Sequence, residues 1–262
     1  MYKFCTLYSG SSGNSTYIGT ESEGILIDIG KNAKQTTLAL DRIGISPEAV
    51  KALFVTHEHR DHIAGLRVFC NRHHTPVYST LGTLKAMEAK GCFTNAFDVF
   101  QMTDYADIGD FHIECFHTSH DAAEPVGYTI TLPNGKRVTV STDLGVVTEE
   151  VRNAILGSDT ILLESNHDVN MLYNGPYPYP LKRRIAGNRG HLNNDAAAET
   201  AAELLESGTQ EIILGHLSTN NNIPELAYQT SAASLKQDGA ELNLDIRLNV
   251  APRNDVFMTE VG

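Results

Sequence analysis

The chain has 262 residues, of which 41% are hydrophobic, enough to bury one substantial core or two small ones. Its formal net charge of −12 at pH 7 argues against a broad basic groove for nucleic acid, although bound divalent cations would still allow a local phosphate site. The opening residues lack the apolar stretch of a secretory signal, no apolar run is long enough to cross a membrane, and the four cysteines show no ligand spacing. We therefore expect a cytoplasmic protein with free thiols and no membrane partner.

Taken in chain order, the first half of the sequence predicts short strands and then helices. Its predicted strands cover residues 2–7, 17–18, 24–29, 52–56 and 77–79. Its predicted helices cover residues 34–43, 64–72 and 81–90. A turn of small polar residues, 9–15, separates the first two strands.

The second half repeats this change from strands to helices. Its predicted strands cover residues 111–118, 126–132, 137–142, 160–164, 211–215 and 242–250. Helices are predicted at 149–156 and at 195–207, the latter capped by Asn194 or Asp195. Residues 166–194 are rich in Tyr, Pro, Gly, Asn and Arg, and we expect a long ordered loop with short helical turns. Loops of this length inside a compact domain are usually functional.

The order of the elements favours one fold class. In each half the strands come first in meander-like runs and then alternate with helices, which predicts two β-rich sheets packed face to face with helices outside. No internal repeat or linker interrupts the sequence, so we expect residues 1–262 to form a single domain.

The strongest chemical signal is the run HEHRDH at residues 57–62, directly after the predicted strand at 52–56. Three imidazoles and a carboxylate so close together, at the end of a buried strand, are able to converge on one point. Burying them is costly unless a cation organises them, so a solvated polar loop is the weaker interpretation. Imidazole with carboxylate suits Zn, Mn or Fe, and no thiolate ligands lie nearby.

Further ligands follow other predicted strands. His120, Asp143 and His216 each lie just past a strand end, the position that the histidine run also occupies. His117 is the alternative to His120, but it falls inside its predicted strand. Three such residues in this order predict a site for two metal ions.

This pattern resembles the metallo-β-lactamase superfamily, whose first motif matches Asp28 in the segment ILIDIG. The resemblance implies an α/β fold in which two mixed sheets and outer helices form a four-layer αββα sandwich. Further motifs, including THEHRDH, TSHDA, STDLG, ESNHD, GHLNN and GHLSTNNN, are similar to those of the YycJ/WalJ type nearly end to end. That resemblance implies a metal-dependent phosphodiesterase, a DNA exonuclease that acts from the 5′ end.

Carried over position by position, the resemblance implies two divalent ions, Zn or Mn. The implied ligands are His57, His59 and His120 for the first ion, Asp61, His62 and His216 for the second, and Asp143 between them. Asp61 would face the water between the ions and, with Asp143, serve catalysis by an activated hydroxide. Asp28 would brace the histidine loop and fix the orientation of a ligand.

Substrate contacts are predicted from the loop at 166–194 and from the turn at 9–15. His191 is a candidate phosphate ligand or the acid that protonates the leaving oxygen, and a structural role for this loop histidine remains the alternative. The loop also gathers basic and aromatic side chains, which suit a nucleic-acid strand. The predicted substrate-binding residues are Ser12, Asn14, His167, Arg183, Arg184 and His191. The turn itself either cradles a phosphate or is a plain tight turn, and it lacks the spacing and Lys of a nucleotide-binding P-loop, so no nucleotide cofactor is expected.

Two other functions fit the same residues. The first is hydrolysis of a small ester, thioester or cyclic phosphate, which the absence of a broad basic surface favours. The second is a binding module that only retains metals, which the full set of seven ligands disfavours. The interval from Asp143 to His216 is too short for a large inserted cap domain, so we expect an open site that a strand end could enter.

Overall fold

The computed structural model describes all residues, Met1–Gly262, and contains two mixed sheets of seven strands each. In the first sheet the order is β14-β1-β2-β3-β4-β5-β6, formed by β1 (Tyr2–Tyr8), β2 (Ser15–Gly19), β3 (Gly24–Ile27), β4 (Val50–Phe54), β5 (Val77–Ser79), β6 (Val99–Gln101) and β14 (Phe257–Val261). In the second it is β13-β12-β11-β10-β9-β8-β7, formed by β7 (Tyr105–Ile108), β8 (Phe111–His117), β9 (Val126–Thr131), β10 (Arg137–Ser141), β11 (Thr160–Glu164), β12 (Glu211–Gly215) and β13 (Arg247–Val250).

Both sheets are divided in the same way. In the first, β14, β1, β2 and β3 pair antiparallel, whereas β3 through β6 run parallel. In the second, β7 through β10 pair antiparallel and β10 through β13 run parallel. Carboxyl ends of parallel strands share one edge of a sheet, and such edges are the usual place for ligand sites in α/β proteins.

Nine α-helices accompany the two sheets. They are α1 (Ala33–Arg42), α2 (Arg60–Ile63), α3 (Leu66–His73), α4 (Leu81–Ala89), α5 (Glu149–Ile155), α6 (Val169–Asn174), α7 (Tyr179–Ile185), α8 (Asn194–Glu206) and α9 (Pro224–Gln237). None of them combines the length and the hydropathy that a membrane span requires.

Three buried clusters show the four layers. One joins α1, α3 and α4 to the outer face of the first sheet, and another joins α5, α8 and α9 to the outer face of the second. The third lies between the two sheets. Strand β12 shows the alternation that this requires, because Ile213 faces the other sheet while Ile212 and Leu214 face the helices. The predicted αββα architecture is confirmed.

Several predicted elements need correction. The cap of α8 is Asn193, whose side chain accepts from the N–H of Ala196, because Asn194 is already helical and buried. The strand predicted at 242–250 is only β13 (Arg247–Val250), since the preceding residues form a turn. Short edge strands β6 and β7, helix α9 and the last strand β14 were not predicted. Helix α9 buries mainly small residues, which carry a weak hydrophobic pattern.

Candidate metal centre

The polar residues of the site lie at the carboxyl ends of the parallel strands. Asp28 follows β3 and the run at 57–62 follows β4 in the first sheet. Asp143 follows β10, Glu164 ends β11 and His216 follows β12 in the second sheet. The site therefore sits where the same edges of both sheets meet, and each sheet supplies about half of it.

Three of these residues have a left-handed backbone conformation that non-glycine residues rarely adopt. The φ angles are +60° at Asp28, +59° at Asp143 and +54° at His216. Such conformations cost free energy and persist where surrounding contacts fix them, typically at functional sites. Here each occurs at a strand end whose side chain is buried in the polar cluster.

Glycine makes the close approach of the histidine loop to the first turn possible. A side chain on Gly30 would place its Cβ 1.7 Å from the carbonyl oxygen of Asp61. That carbonyl accepts from the N–H of Asn14 at 2.8 Å, and the N–H of Gly30 donates to the carbonyl of Asn14 at 2.8 Å. The turn at 9–15 is therefore tied to the histidine loop by backbone hydrogen bonds.

Asp28 accepts hydrogen bonds from three donors on the histidine loop. Its Oδ1 accepts from the N–H of Thr56 at 2.8 Å, and its Oδ2 accepts from Thr56 Oγ1 at 2.8 Å and from His62 Nδ1 at 2.7 Å. Because Thr56 Oγ1 donates to Asp28, it accepts from His57 Nδ1, 3.0 Å away. These partners place a proton on Nδ1 of both imidazoles. The Nε2 of His57 has no partner, whereas the Nε2 of His62 lies 3.0 Å from the amide nitrogen of Asn14.

The same tautomer is fixed in two further histidines. His120 Nδ1 donates to the carbonyl of Gly190 at 2.9 Å, and His216 Nδ1 lies 2.7 Å from Glu164 Oε1. His59 instead presents Nδ1 to the cluster, 3.3 Å from His120 Nε2. Hydrogen bonds on the far side of each ring are the arrangement that orients histidines toward a metal ion.

Two carboxylates lie among these nitrogens. Asp143 Oδ2 lies 3.2 Å from His62 Nε2, and Asp143 Oδ1 lies 3.7 Å from His120 Nε2. Asp61 Oδ2 lies 3.6 Å from His62 Nε2 and 3.9 Å from His216 Nε2. Asp143 therefore lies between the two groups of histidines, while Asp61 lies beside only one of them.

The residues fit divalent cations. Three buried atoms in this cluster, His57 Nε2, Asp143 Oδ2 and His216 Nε2, have no hydrogen-bond partner, which is costly unless another ligand satisfies them. Ligand atoms lie within 4.8 Å of one another in overlapping groups, which are His57, His59 and His120; His57, His62 and Asp143; Asp61, His62 and His216; and Asp143, Glu164, His191 and His216. These overlapping groups are consistent with a dinuclear site for divalent metal ions.

The carboxylates of the cluster attract positive charge. Burial raises the pKa of Asp143, but His216 and His62 outweigh it and hold that pKa well below its usual range. Burial lowers the pKa of His57 well below its usual value, so this imidazole is neutral. Burial also lowers the pKa of His62 and His216, but Asp143 outweighs it, so the pKa of His62 is raised well above its usual value and that of His216 to about 10. The site thus holds an ionised carboxylate beside one neutral and two protonated imidazoles, and a bound cation would take the place of those protons.

The prediction from sequence missed Glu164, which is fully buried at the end of β11. Its Oε1 accepts from His191 Nδ1 at 2.8 Å and from His216 Nδ1 at 2.7 Å, and its Oε2 accepts from the N–H of Leu144 at 2.8 Å. Burial raises the pKa of this carboxyl, but His191 and His216 outweigh it and lower the pKa to about 2. The sequence did carry a signal for this residue. Glu164 ends the apolar strand TILLE, much as Asp143 and His216 each follow an apolar strand.

A cavity of about 250 Å³ opens over the cluster. Besides cluster residues, Arg184 and His191 line it, together with Tyr177, one of the aromatic residues of the loop at 166–194. Ser11, Leu181 and Ile185 also line it and were not predicted. His120 belongs to the cluster, whereas the alternative ligand His117 lies exposed beside Glu150, outside the cavity. The cavity wall opposite the metal ligands is thus formed by α7, whose residues are all partly or fully exposed.

Four other predicted substrate residues lie away from this cavity. His167 is 1% exposed, its backbone pairs with Asn193, and burial lowers its pKa to about 4. Asn14 is buried and its amide nitrogen lies 3.0 Å from His62 Nε2. Ser12 and Arg183 are exposed. The structure therefore brings only Arg184 and His191 of the predicted substrate residues to the cavity.

The chain is similar in sequence to known proteins. Residues 24–217 match the family model described as the beta-lactamase superfamily domain. The chain is 38% identical over 238 residues to the exodeoxyribonuclease YycJ of Bacillus anthracis, covering 90% of each protein. It is 36% identical over 265 residues to the exodeoxyribonuclease WalJ of Streptococcus pneumoniae serotype 2, covering 99% of this chain and 98% of that protein.

A solved structure shares the architecture at low sequence identity. The metallo-beta-lactamase fold protein YhfI of Bacillus subtilis superposes with a TM-score of 0.73 at 15% identity, over 99% of this chain and all of that one. At this identity the likeness concerns the fold alone.

Proposed function

The chain belongs to the metallo-β-lactamase superfamily and, within it, to the family of the YycJ and WalJ proteins, and from this premise we propose that it is a DNA exonuclease acting from the 5′ end. The observation that carries the proposal is the similarity to proteins named exodeoxyribonuclease over 90% or more of the chain. The buried cluster supports it, because a hydrolytic metal centre is what a phosphodiesterase of this fold needs.

We assign the ligands as the sequence pattern implies. His57, His59 and His120 would hold one ion, Asp61, His62 and His216 would hold the other, and Asp143 would be a ligand of both. The imidazole and carboxylate set suits Zn or Mn. When bound, the two ions neutralise charge on a phosphodiester and make hydroxide available at neutral pH.

The chain's own residues orient the reacting groups. Asp28 fixes His62, and Thr56 fixes His57, so the two rings keep one orientation. Asp61 and Asp143 present their carboxylates to the cavity from opposite sheets. Their position suits accepting the proton of an attacking water molecule.

His191 is suited to protonate the leaving oxygen. Its Nδ1 donates to the buried Glu164, so its Nε2 is the atom left to carry a proton toward the cavity that the ring lines. The side chain is 23% exposed, which allows contact with a substrate. The hydrogen bond to Glu164 fixes the orientation of the ring, so that Nε2 keeps one position relative to a bound substrate.

The loop at 166–194 contributes less free positive charge than its composition suggests. Lys182 Nζ donates to the carbonyl of Tyr173 at 2.7 Å, and Arg184 Nε donates to Asp121 Oδ2 at 2.5 Å. Arg189 donates to the carbonyl of His120 at 3.1 Å. Arg184 and Arg189 thus tie the loop to Asp121 and His120, Lys182 makes its contact within the loop, and Arg183 makes none.

The test is degradation of end-labelled DNA by the purified protein with added Mn²⁺. Substrates carry a 5′-hydroxyl or a 5′-phosphate, and an RNA of the same sequence is included. We expect stepwise loss from the 5′ end that a chelator and the variant Asp143→Ala both abolish. If the wild type leaves DNA and RNA intact but hydrolyses a small ester, thioester or cyclic phosphate, the nuclease proposal is wrong and the alternative substrate class replaces it.

Two coarser expectations accompany this proposal. We propose that residues 1–262 act as a single domain without an inserted cap, because one buried cluster joins the two sheets. We also propose that the protein works in the cytoplasm, where its cysteines stay reduced; all four are free in the structure.

A further inference from the structure

A second cavity adjoins the metal centre and has no residue of α7 in its wall. It has a volume of about 500 Å³, and it shares Ser11 and the ligand Asp61 with the first cavity. Its other wall includes Ser12, Lys31, Gln35 and Arg60. Because Asp61 lines both spaces, a group bound in the second cavity lies next to a group bound over the metal ligands.

The two cations of this cavity have no carboxylate partner. Arg60 is exposed and its guanidinium makes neither a hydrogen bond nor an ion pair. Lys31 Nζ donates only to Ser12 Oγ, at 3.0 Å. In a chain with a net charge of −12, two cations lining one cavity without a carboxylate partner are unusual. They contrast with the loop at 166–194, where three of four cations are engaged by the protein itself.

The lysine is held in place rather than free to move in solvent. Its ammonium lies 5.7 Å from the centre of the Tyr8 ring, within the range of a cation–π interaction. Its aliphatic carbons cross Gly13, where an added Cβ would come within 2.8 Å of them. In addition, the N–H groups of Ser11 and Ser12 have no acceptor in the protein. Two cations and two N–H groups without an acceptor are suited to binding an anion.

We infer that this Lys31–Arg60 cavity binds a phosphate group of the substrate strand, next to the phosphodiester that is cleaved. The inference rests on the proposed nuclease function, because only a polynucleotide brings a second phosphate so close to the first. The phosphate is either the terminal 5′-phosphate or the neighbouring internal linkage. Both present the same oxyanion, and they are distinguished by substrates in which one or the other has been removed or neutralised.

The experiment combines protein variants with removal of single charges from the DNA. Affinity is measured for the Mn²⁺-loaded protein and a 3′-labelled, phosphorothioate-linked single strand, which keeps its charge and resists cleavage. One series replaces the 5′-phosphate by hydroxyl, and another replaces the first or the second linkage by a neutral methylphosphonate. The proteins are the wild type, the double variant Lys31→Gln/Arg60→Gln and the control Lys34→Gln/Arg72→Gln, which removes the same charges from exposed positions outside the cavity.

We expect the double variant to bind the fully charged strand about ten- to a hundredfold more weakly than the wild type or the control. Removing the contacted phosphate should weaken the wild type and the control by a similar factor but leave the double variant unchanged. The replacement that weakens binding to the wild type but not to the double variant identifies the phosphate that the cavity contacts. Bound metal per chain should be equal in all three proteins, which shows that the metal centre is intact.

Two results overturn the inference in distinguishable ways. If the wild type cleaves DNA but the double variant remains as sensitive to every charge removal as the wild type, the cavity does not bind phosphate and the nuclease function stands. If the wild type neither binds these strands nor cleaves the corresponding DNA with ordinary phosphodiester linkages, the proposed function fails and the inference fails with it.

Discussion

The two sides of the main cavity are built in different ways. On one side the proposed metal ligands lie at strand ends, are mostly buried, and are held by hydrogen bonds to other buried groups such as Asp28 and Glu164. On the other side α7 has no buried residue, and its Arg184 reaches the rest of the protein through an exposed ion pair with Asp121. The first side is a rigid frame for chemistry, whereas the second is able to adapt to a substrate.

The largest effect should come from the residue that both sheets surround. Asp143→Ala removes the carboxylate between the two histidine groups, so kcat/KM for DNA should fall about a thousandfold or more. Bound metal per chain, measured by mass spectrometry, should fall as well. Asp110→Ala, at an exposed turn, is the control and should change neither quantity. A fully active, metal-replete Asp143→Ala would refute the central position of this residue.

Glu164 tests whether one carboxylate serves both sides of the cavity. Glu164→Gln keeps the volume but turns an amide N–H₂ toward a donor, since every partner of this carboxylate donates to it. We expect kcat to fall about ten- to a hundredfold with a smaller change in KM. Glu149→Gln, exposed on α5, provides the matched control. An unchanged kcat would mean that the hydrogen bonds to His191 and His216 do not matter for turnover.

Asp28 tests the frame without touching the cavity. In Asp28→Asn, the amide N–H₂ group replaces an acceptor and must point at a donor of Thr56 or His62. The ring of His62 therefore loses its fixed orientation. Competition with a chelator should show metal affinity lowered about ten- to a hundredfold. The exposed substitution Asp41→Asn should leave affinity unchanged. Equal affinities in the two variants would contradict the bracing role.

The smallest effects are expected on the loop side. Arg184→Ala removes an ion pair with Asp121 whose arginine side chain is 61% exposed, and exposed pairs contribute about 0–1 kcal/mol. We therefore expect KM for DNA to rise about fivefold or less, with kcat nearly unchanged. Arg183→Ala, which removes the neighbouring unpaired charge, is the comparison. A fall in kcat/KM of more than about a hundredfold in either variant would show that activity depends on the loop side as strongly as on the strand-end side.

The difference between the two sides also explains what the sequence could predict. The run at 57–62 is a local pattern, and His120, Asp143 and His216 share a position relative to buried strands, so spacing and periodicity point to them directly. Glu164 has the same signal in weaker form, since a single Glu ending an apolar strand is common.

The loop side depends on contacts between distant residues, which no local pattern reveals. Whether Arg184 faces a substrate or Asp121 depends on where α7 packs, 63 positions along the chain from that aspartate. His167 shares the polar flanks of His191, yet it is buried under the loop while His191 faces the cavity. Similarly, Lys31 and Arg60 come together only because the first turn packs on the histidine loop.

The central claim is that residues from both sheets form one centre for two ions. Anomalous diffraction from crystals grown with Mn²⁺ tests it most directly. We predict two peaks about 3.5–4 Å apart, with Asp143 between them. His57, His59 and His120 should surround one peak, and Asp61, His62 and His216 should surround the other. A single peak, or two peaks without Asp143 between them, would contradict the account.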